Sequence, residues 1–367
     1  MSQSTPWGIT RVGAPLNGTG KKAWVLDTGI DLDHPDLNVD YGSSASFVAG
    51  ESADDGHGHG THVAGTIAAK DNSTGVVGVA ADADVVAVKV CDSSGQCYTS
   101  DLDAGIDYIV SNYSSGDVAN ISLGWPITGN SRVDLALSVL ENTIKTAADD
   151  GLMFAIAAGN ESQDANNKSP ARIAYNNVWT VSAHDDNDDF ASFSNYGNPP
   201  IEYSNPGVDI LSLCKNGGTN TIGGTSMAAP HIAGLLLTVP NDINTDGYVT
   251  NDPDNDPDAI AAYTPLEVSI SGPISRDSNE SGTWTENASY GTGNYSYQWY
   301  FKNIGQTTWG LGVTSTSYSR SFENIISIAD HAYLKVVVTS GSEQAETTFP
   351  VLIHGSGSSC PPGQICL

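Results

Sequence analysis

Short runs of apolar and β-branched residues alternate, over roughly the first 240 residues, with segments that carry apolar residues at helical spacing. Alternation of this kind is typical of a parallel β-sheet whose strands are connected by crossover helices. The predicted strands are residues 22–26, 85–90, 118–123, 152–157 and 178–183. The predicted helices are residues 101–110 and 133–148, with Ser131 as the N-cap of the second. The pattern therefore predicts an α/β fold with helices flanking a parallel sheet.

The composition changes abruptly beyond this region. Residues 241–264 form an acidic, proline-containing stretch, which predicts a linker after a first domain at residues 1–240. Residues 265–354 show short alternating segments separated by turn residues, and the run 295–300 alternates aromatic with polar side chains. This pattern predicts a small all-β sandwich of the Ig-like type with Trp299 in its core. Residues 355–367 read as a tail.

The charge balance restricts the partners. Acidic residues outnumber basic ones 42 to 14, which gives a net charge of −28. Nucleic acids and anionic membrane surfaces would be repelled, so neither is an expected partner, whereas divalent cations are favoured. No apolar run is long enough to span a bilayer, and the first residues lack the features of a signal peptide, so we expect a mature form.

Cysteine spacing suggests an oxidising compartment. Cys91 with Cys97, and Cys360 with Cys366, could each close a small loop, which leaves Cys214 unpaired. The alternative is that all five cysteines are free thiols.

Three glycine-rich motifs carry an acid, a base and an alcohol. They are residues 25–29 around Asp27, residues 59–65 beginning at His59, and residues 224–230 around Ser226. A serine hydroxyl is a poor nucleophile unless an imidazole takes its proton and a carboxylate holds that imidazole in the right tautomer. A fourth motif, Ala-Ala-Gly-Asn, ends at Asn160.

These motifs, in this order over about residues 3–234, resemble the subtilisin-like serine protease family, and more closely its proteinase K-like branch. The resemblance implies a three-layer α/β fold and a secreted serine endopeptidase that matures from a propeptide. It makes Ser226 the nucleophile, His59 the base and Asp27 the orienting acid. Asn160 and the Ser226 N–H would stabilise the oxyanion.

Each of these residues also has an ordinary structural interpretation. Ser226 could be an N-cap, and Asp27 and Asn160 could be turn residues, although the surrounding motifs argue against it. Among the crowded histidines, the family motif selects His59, so His62 is expected to be packed. His231 is expected to be a buried helix residue, and Asp54 and Asp55 to increase local basicity.

The resemblance also predicts the substrate cleft. Substrate would pair as an added strand along Ser122, Leu123 and Gly124, where Trp125 and Pro126 depart from the usual pattern. Ala157, Ala158 and Gly159 would form the other wall. An apolar pocket and broad cleavage after bulky apolar residues follow. Glu161 at the rim could accept a basic side chain or could be only a solvated charge.

One calcium site is expected, and a second is a candidate. The first, implied by the subtilisin branch, would use side-chain oxygens of Gln3, Asp36 and Asn72 and carbonyls of Lys70, Thr74 and Val76. The second candidate is the loop that contains Asp242, Asn244 and Asp246, although a solvated acidic linker is an equal alternative there.

The sequence thus predicts a calcium-stabilised, monomeric serine endopeptidase that acts on proteins or peptides. The alternative is a catalytically idle scaffold whose Ig-like domain binds protein or carbohydrate surfaces. In an active enzyme, the Ig-like domain could hold the chain on insoluble substrate, with exposed aromatic residues such as Trp284 or Trp309 as contacts, or it could be a spacer or a stabilising lid.

Overall fold

The computed structural model describes residues 2–277, 280–290, 294–303, 306–321, 330–341 and 343–354. The chain forms two compact units, Met1–Tyr263 and Thr264–Leu367. The boundary therefore lies at Tyr263 and not near residue 240, so the predicted linker belongs to the first unit.

A ten-stranded sheet organises the first unit. Its strands are Lys22–Asp27 (β1), Asn38–Val39 (β2), Ala45–Ser46 (β3), Asp84–Lys89 (β4), Val118–Ile121 (β5), Met153–Ala157 (β6), Val178–His184 (β7), Ile201–Pro206 (β8), Ile243–Tyr248 (β9) and Ala259–Tyr263 (β10). The order across the sheet is β9-β10-β8-β7-β6-β5-β1-β4-β2, and β3 also pairs with β4. Its neighbouring strands run parallel, except that β9 and β10 are antiparallel.

Helices cover both faces of this sheet. The α-helices of the described chain are Trp7–Arg11 (α1), His59–Ala68 (α2), Thr99–Val110 (α3), Ser131–Asp149 (α4) and Thr225–Thr238 (α5). Helices α2 and α5 pack on one face, where Val25 of β1 lies in a large apolar core. Helices α3 and α4 pack on the other face, where the alternate β1 residues Trp24 and Leu26 are buried. Because both faces are covered, the central strands are mostly apolar, as is typical of parallel sheets.

The predicted α/β fold is confirmed. All five predicted strands and both predicted helices are present with boundaries shifted by a few residues. The predicted N-cap of α4 was wrong by one residue: the side chain of Asn130 accepts from the Arg132 N–H, and Ser131 is the first helical residue.

The acidic stretch is structured because it carries a buried apolar strand. In β10, Ile260, Ala261 and Ala262 are buried, and β10 pairs with β8 at the edge of the sheet. Arg11 anchors the outer strand β9, since its guanidinium contacts the Asp246 carboxylate at 2.8 Å. Smaller pairs connect Leu16–Asn17 with Ala80–Ala81 and Trp125–Pro126 with Lys168–Ser169, and Ile210–Cys214 forms a hairpin with Gly218–Ile222.

The second unit is all-β among its described residues. Its strands are Glu267–Ser271, Ser275–Asp277, Ser281–Ser289, Tyr295–Lys302, Gly310–Leu311, Ser317–Ser321, Asp330–Ser340 and Glu343–His354. They form a three-stranded and a five-stranded sheet around one apolar core. Trp299 is fully buried there, as predicted, and stacks on Tyr318. The Ig-like type stays a prediction.

Trp284 was wrongly expected as an exposed contact: it is also fully buried, and its Nε1–H donates to the Pro273 carbonyl. Trp309 is half-buried, with Lys302 Nζ 5.1 Å from its ring centre.

One predicted disulfide is present. Cys91 is bonded to Cys97, and Cys214 is free. The pair Cys360 and Cys366 and the predicted tail, residues 355–367, lie outside the described residues. Within the described chain, no helix has both the length and the apolar character needed to cross a membrane.

Candidate active site

The carboxylate of Asp27 and the imidazole of His59 form a close pair. Asp27 ends β1 at the carboxyl edge of the sheet, and His59 is the first residue of α2. His59 Nδ1 lies 2.8 and 2.9 Å from the two carboxylate oxygens of Asp27. Asp27 is 2% exposed and also accepts a hydrogen bond from the Thr28 N–H. The pair therefore fixes the tautomer with a proton on Nδ1 and leaves Nε2 as the base.

Two opposing effects act on the basicity of His59. Burial lowers its pKa, but the negative charge and hydrogen bond of Asp27 more than offset this, so the pKa of His59 is raised. The imidazolium that forms when His59 accepts a proton is therefore stabilised by the buried carboxylate.

Ser226 is placed at the start of α5. Its Oγ donates to the Ser122 carbonyl at 3.1 Å, and the Ser122 Oγ donates to the Ser226 carbonyl at 3.0 Å. Gly224 caps this helix with φ of 150° and lies against the Asn160 side chain. The hydroxyl thus sits at a helix N-terminus, where free backbone N–H groups favour negative charge.

Asn160 is oriented by the residue before Ser226. Its Oδ1 accepts from the Thr225 N–H at 2.8 Å and from the Thr225 Oγ1 at 3.0 Å. The Thr225 hydroxyl also accepts from the Gly159 N–H, so the two motifs are bonded together. Because the amide oxygen is engaged, the Nδ2 amino group is the end available as a donor to a developing oxyanion.

A cleft of about 430 Å³ opens beside the Asp27 and His59 pair. Its lining includes Asp27, His59 and the predicted segment Ser122, Leu123 and Gly124 together with Trp125. Residues of the disulfide-closed loop from Cys91 to Cys97 also line the cleft, as does His57. Sequence reasoning did not assign this loop to the cleft, although the short cysteine spacing was visible.

The residues predicted for the second wall follow β6. Ala157 and Ala158 are buried, and Gly159 is half-buried with φ of 104°. Glu161 is an ion-pair partner of Lys168 and accepts from Asn195 at 2.8 Å. It is therefore committed to protein contacts and is not simply a solvated charge.

Two further histidines of the motifs are structural. His62 Nε2 contacts the carbonyls of Ile210 and Asn220, and His231 Nδ1 contacts the Met227 carbonyl at 2.8 Å. Burial lowers the pKa of His62 to about 4 and of His231 to about 3, so both are neutral near pH 7.

The structure brings the first predicted calcium ligands together. Gln3 Nε2 donates to the carbonyls of Lys70 and Val76 at 2.6 and 3.2 Å. The Asp36 carboxylate accepts from Asn72 Nδ2 and from the Val76 N–H, and Asn72 Oδ1 accepts from the Thr74 N–H. The Asp36 carboxylate and the Lys70 and Val76 carbonyls thus lie within hydrogen-bond distance of predicted ligand side chains, and rotation of the Gln3 amide would add its oxygen. This donor set, with one carboxylate, fits Ca²⁺.

The second predicted calcium loop is not a loop. Asn244 and Asp246 belong to strand β9, which Asp242 immediately precedes, and Asp246 contacts Arg11. Alternate residues of a strand lie about 7 Å apart, so three of them do not close around one ion. In the described part of the chain, no three His, Cys, Asp or Glu side chains are placed to hold a metal.

Sequence reasoning missed the polar groups that support the Asp27 and His59 pair. Asp55, considered only as nearby charge, is 5% exposed and accepts from Thr28 and Thr61. Lys89 is fully buried, donates to the Thr28 carbonyl and pairs with Glu51. A charged residue inside an apolar strand, as Lys89 is, was the available signal.

An Asp and His pair, with a serine at a helix N-terminus near the edge of a parallel sheet, is typical of serine hydrolases. The model of the subtilase family matches residues 18–252. The chain belongs to the subtilase family, as predicted.

Named relatives agree with this assignment. The chain is 44% identical over 246 residues to the M-protease of Shouchella clausii (strain KSM-K16), a match that covers 65% of this chain and 60% of the relative. It is 45% identical over 245 residues to Subtilisin Savinase of Lederbergia lenta, a match that covers 65% of this chain and 85% of the relative. The chain thus spans less than two thirds of the M-protease sequence.

A solved structure supports the fold. The crystal structure of a cold adapted subtilisin-like serine proteinase superposes with a TM-score of 0.58 and 31% identity, covering 70% of this chain and 98% of the other. The subtilisin-like α/β fold of the first unit is therefore established.

Proposed function

We propose that this chain is a serine endopeptidase that hydrolyses peptide bonds through an acyl-enzyme. The observation that carries the proposal is the buried Asp27 carboxylate, which holds His59 Nδ1 at 2.8 Å next to a cleft. Proteolytic relatives at 44–45% identity support it.

We propose the following chemistry for Ser226, His59 and Asn160. Ser226 Oγ leaves the Ser122 carbonyl, transfers its proton to His59 Nε2 and attacks the scissile carbonyl carbon. The C–O bond forms, and the carbonyl oxygen becomes an oxyanion that accepts from Asn160 Nδ2 and the Ser226 N–H. His59 then protonates the leaving amine as the C–N bond breaks, and water repeats the sequence to release the acid.

Covalent labelling tests this proposal. A fluorophosphonate should label the chain stoichiometrically at Ser226 and abolish peptide hydrolysis at the same rate. Ser226→Ala should be neither labelled nor active, and Ser122→Ala is a matched control that should still be labelled. Labelling at another serine, or none, would contradict the assignment and favour the idle scaffold.

The specificity is proposed from the cleft. We expect broad cleavage after bulky apolar residues, since small residues at 157–159 leave room for a large side chain. Pairing of Glu161 with Lys168 argues against strong selection of a basic side chain. A peptide library that is cleaved mainly after acidic residues would overturn this expectation.

Calcium is proposed as a structural ion held by Gln3, Asp36, Lys70, Asn72, Thr74 and Val76. When bound, it would replace hydrogen bonds among these groups by ion contacts and fix the loop against the N-terminal segment.

Secretion, maturation from a propeptide and a monomeric state are part of the same proposal. The Cys91–Cys97 disulfide supports an oxidising compartment. The net charge of −28 makes nucleic acid and anionic membranes poor partners.

A further inference from the structure

A buried carboxylate lies four residues before His59. Asp55 is 5% exposed, although ionised side chains are rarely buried without partners. Its Oδ1 accepts from Thr28 Oγ1 at 2.9 Å, the His57 N–H at 2.9 Å and the Gly58 N–H at 2.8 Å. Its Oδ2 accepts from the Thr61 N–H at 3.0 Å and Thr61 Oγ1 at 2.7 Å. Every partner is a donor, so the ionised carboxylate is the form that fits.

These bonds connect the two elements that carry Asp27 and His59. Thr28 follows Asp27 directly, and its hydroxyl donates to Asp55 while it accepts from the Gly60 N–H at 3.0 Å. Gly60 follows His59. The end of β1 and the start of α2 are thus bonded through one hydroxyl whose orientation Asp55 sets.

Asp55 also completes the beginning of α2. The cap residue Gly58, with φ of 111°, supplies no side chain, and the first N–H groups of a helix lack partners within it. Asp55 accepts from two of these groups, Gly58 N–H and Thr61 N–H, and places a negative charge at the positive end of the helix. The first helical residue, His59, is held in place by these contacts.

We propose that Asp55 is a positioning residue for the reaction: it holds His59 opposite Asp27 by bonding the strand end to the helix start. The inference rests on the proposed function and adds a residue to it. Asp55 does not line the described cleft, so it acts through His59 and not on the substrate.

The charge of Asp55 has a second effect. Burial lowers the pKa of His59, and the charges of Asp27 and, more weakly, Asp55 raise it. The other charged or titratable groups around this helix start are Asp31, Asp54, His57, His62, Lys89 and Lys215. We therefore expect removal of Asp55 to lower the pKa of His59, whereas removal of an uncharged packing residue should leave this pKa nearly unchanged.

The test compares Asp55→Asn with Asp54→Asn. Asn has the same shape as Asp, but its NH₂ group would face hydrogen-bond donors whether it took the place of Oδ1 or of Oδ2. The hydrogen bonds that this oxygen accepts in the wild-type chain would therefore be lost. Asp54 is a matched control, because it is adjacent, exposed and accepts only a 3.2 Å bond from the Leu32 N–H in the described structure. For Asp55→Asn we expect kcat to fall about 10- to 100-fold, with little change in KM for a short peptide. The acid limb of its kcat/KM profile should move to lower pH.

Titration of His59 by NMR in the Ser226→Ala background gives a readout that does not depend on turnover. Asp55→Asn should lower the pKa of His59. Asp54→Asn should have a smaller effect on this pKa and on kcat than Asp55→Asn has. If Asp55→Asn and Asp54→Asn match in kcat and in the His59 titration, the proposal is overturned. An inactive wild-type chain would refute the proposed function, while the titration would still decide the role of Asp55.

A second variant covers the case in which Asp55→Asn does not fold. Thr28→Val removes the bridging hydroxyl and keeps the Asp55 charge. For Thr28→Val we expect a lower kcat, while the acid limb of the kcat/KM pH profile should stay close to its wild-type position. Full kcat in folded Thr28→Val would overturn the positioning role.

Discussion

His231 provides a prediction about acid stability. It lies within α5, is fully buried, and donates through Nδ1 to the Met227 carbonyl. Its Nε2 has no hydrogen-bond partner among the described groups, and a Cβ added at Gly8 would lie 2.5 Å from it. Burial lowers the pKa of His231 to about 3, and a proton added to Nε2 would be a buried donor without an acceptor.

The magnitude follows from proton linkage. The unfolded chain binds the proton near pH 6.5 and the folded chain only near pH 3, so the folded state loses stability as the pH falls below 6.5. Each pH unit below 6.5 lowers the free energy of unfolding by about 1.4 kcal/mol, which gives about 2 kcal/mol between pH 6.5 and pH 5. His231→Asn keeps a donor for Met227 and removes the titration. We expect His231→Asn to lower the free energy of unfolding by about 1–3 kcal/mol at pH 8, because the smaller side chain leaves a cavity. At pH 5 the loss should be about 2 kcal/mol smaller than at pH 8, because the variant has no histidine at this position to protonate on unfolding.

Denaturant unfolding at pH 8 and pH 5, in the Ser226→Ala background and at fixed free calcium, measures this difference. The matched control is Ile232→Val, the adjacent buried residue without a titratable group, which should cost the same at both pH values. A His231→Asn effect that is equal at pH 8 and pH 5 would refute the reasoning.

Three other predictions concern turnover, buried charge and calcium. Asn160→Leu should lower kcat about 10²- to 10³-fold with little change in KM, the range measured for loss of one oxyanion-hole donor in subtilisin itself; an unchanged kcat excludes Asn160 as that donor. Burial raises the pKa of Asp258 to about 7, so its stabilising contribution is present below pH 3.8 and lost as the pH rises through 7. Asp258→Asn, which can still accept from Ser182, should thus raise the free energy of unfolding by up to about 4 kcal/mol at pH 8, and by less than 2 kcal/mol at pH 5; destabilisation in urea titrations would contradict this. Removal of calcium with a chelator should lower the free energy of unfolding of the wild-type chain by about 3 kcal/mol, compared with the same chain in calcium at 100 times its Kd. Calorimetry should show that Asp36→Asn loses most of this calcium dependence. An equal response in both chains would exclude the proposed ligand set.

Much of the first unit could be predicted because its signals are local. Alternating apolar runs determine which segments are strands, and a parallel sheet brings the carboxyl ends of its strands to one edge. The burial of Asp27 could be predicted from its place at the end of β1, but its role as the orienting acid came from the resemblance of its motif. His59 and Asn160 were identified only by the resemblance of their motifs.

The remaining features depend on contacts between distant segments. Asp55 gains its role from donors on Thr28 and Thr61, and nothing in the local sequence shows that these groups converge. The stretch after residue 240 looked like a linker because its acids outnumber its apolar residues, yet the few apolar residues around Ile260 suffice to extend the sheet. Trp284 shows the same limit, since alternation in a strand gives a period but not the face that is buried.

A crystal structure of the chain after reaction with a peptidyl phosphonate would test the central claim most directly. The account predicts a bond from Ser226 Oγ to phosphorus, with the phosphonyl oxygen within about 3.1 Å of both Asn160 Nδ2 and the Ser226 N–H. His59 Nε2 should lie within hydrogen-bond distance of Ser226 Oγ while Nδ1 keeps its contact with Asp27. An adduct on another residue, or a phosphonyl oxygen that points away from Asn160, would contradict the account.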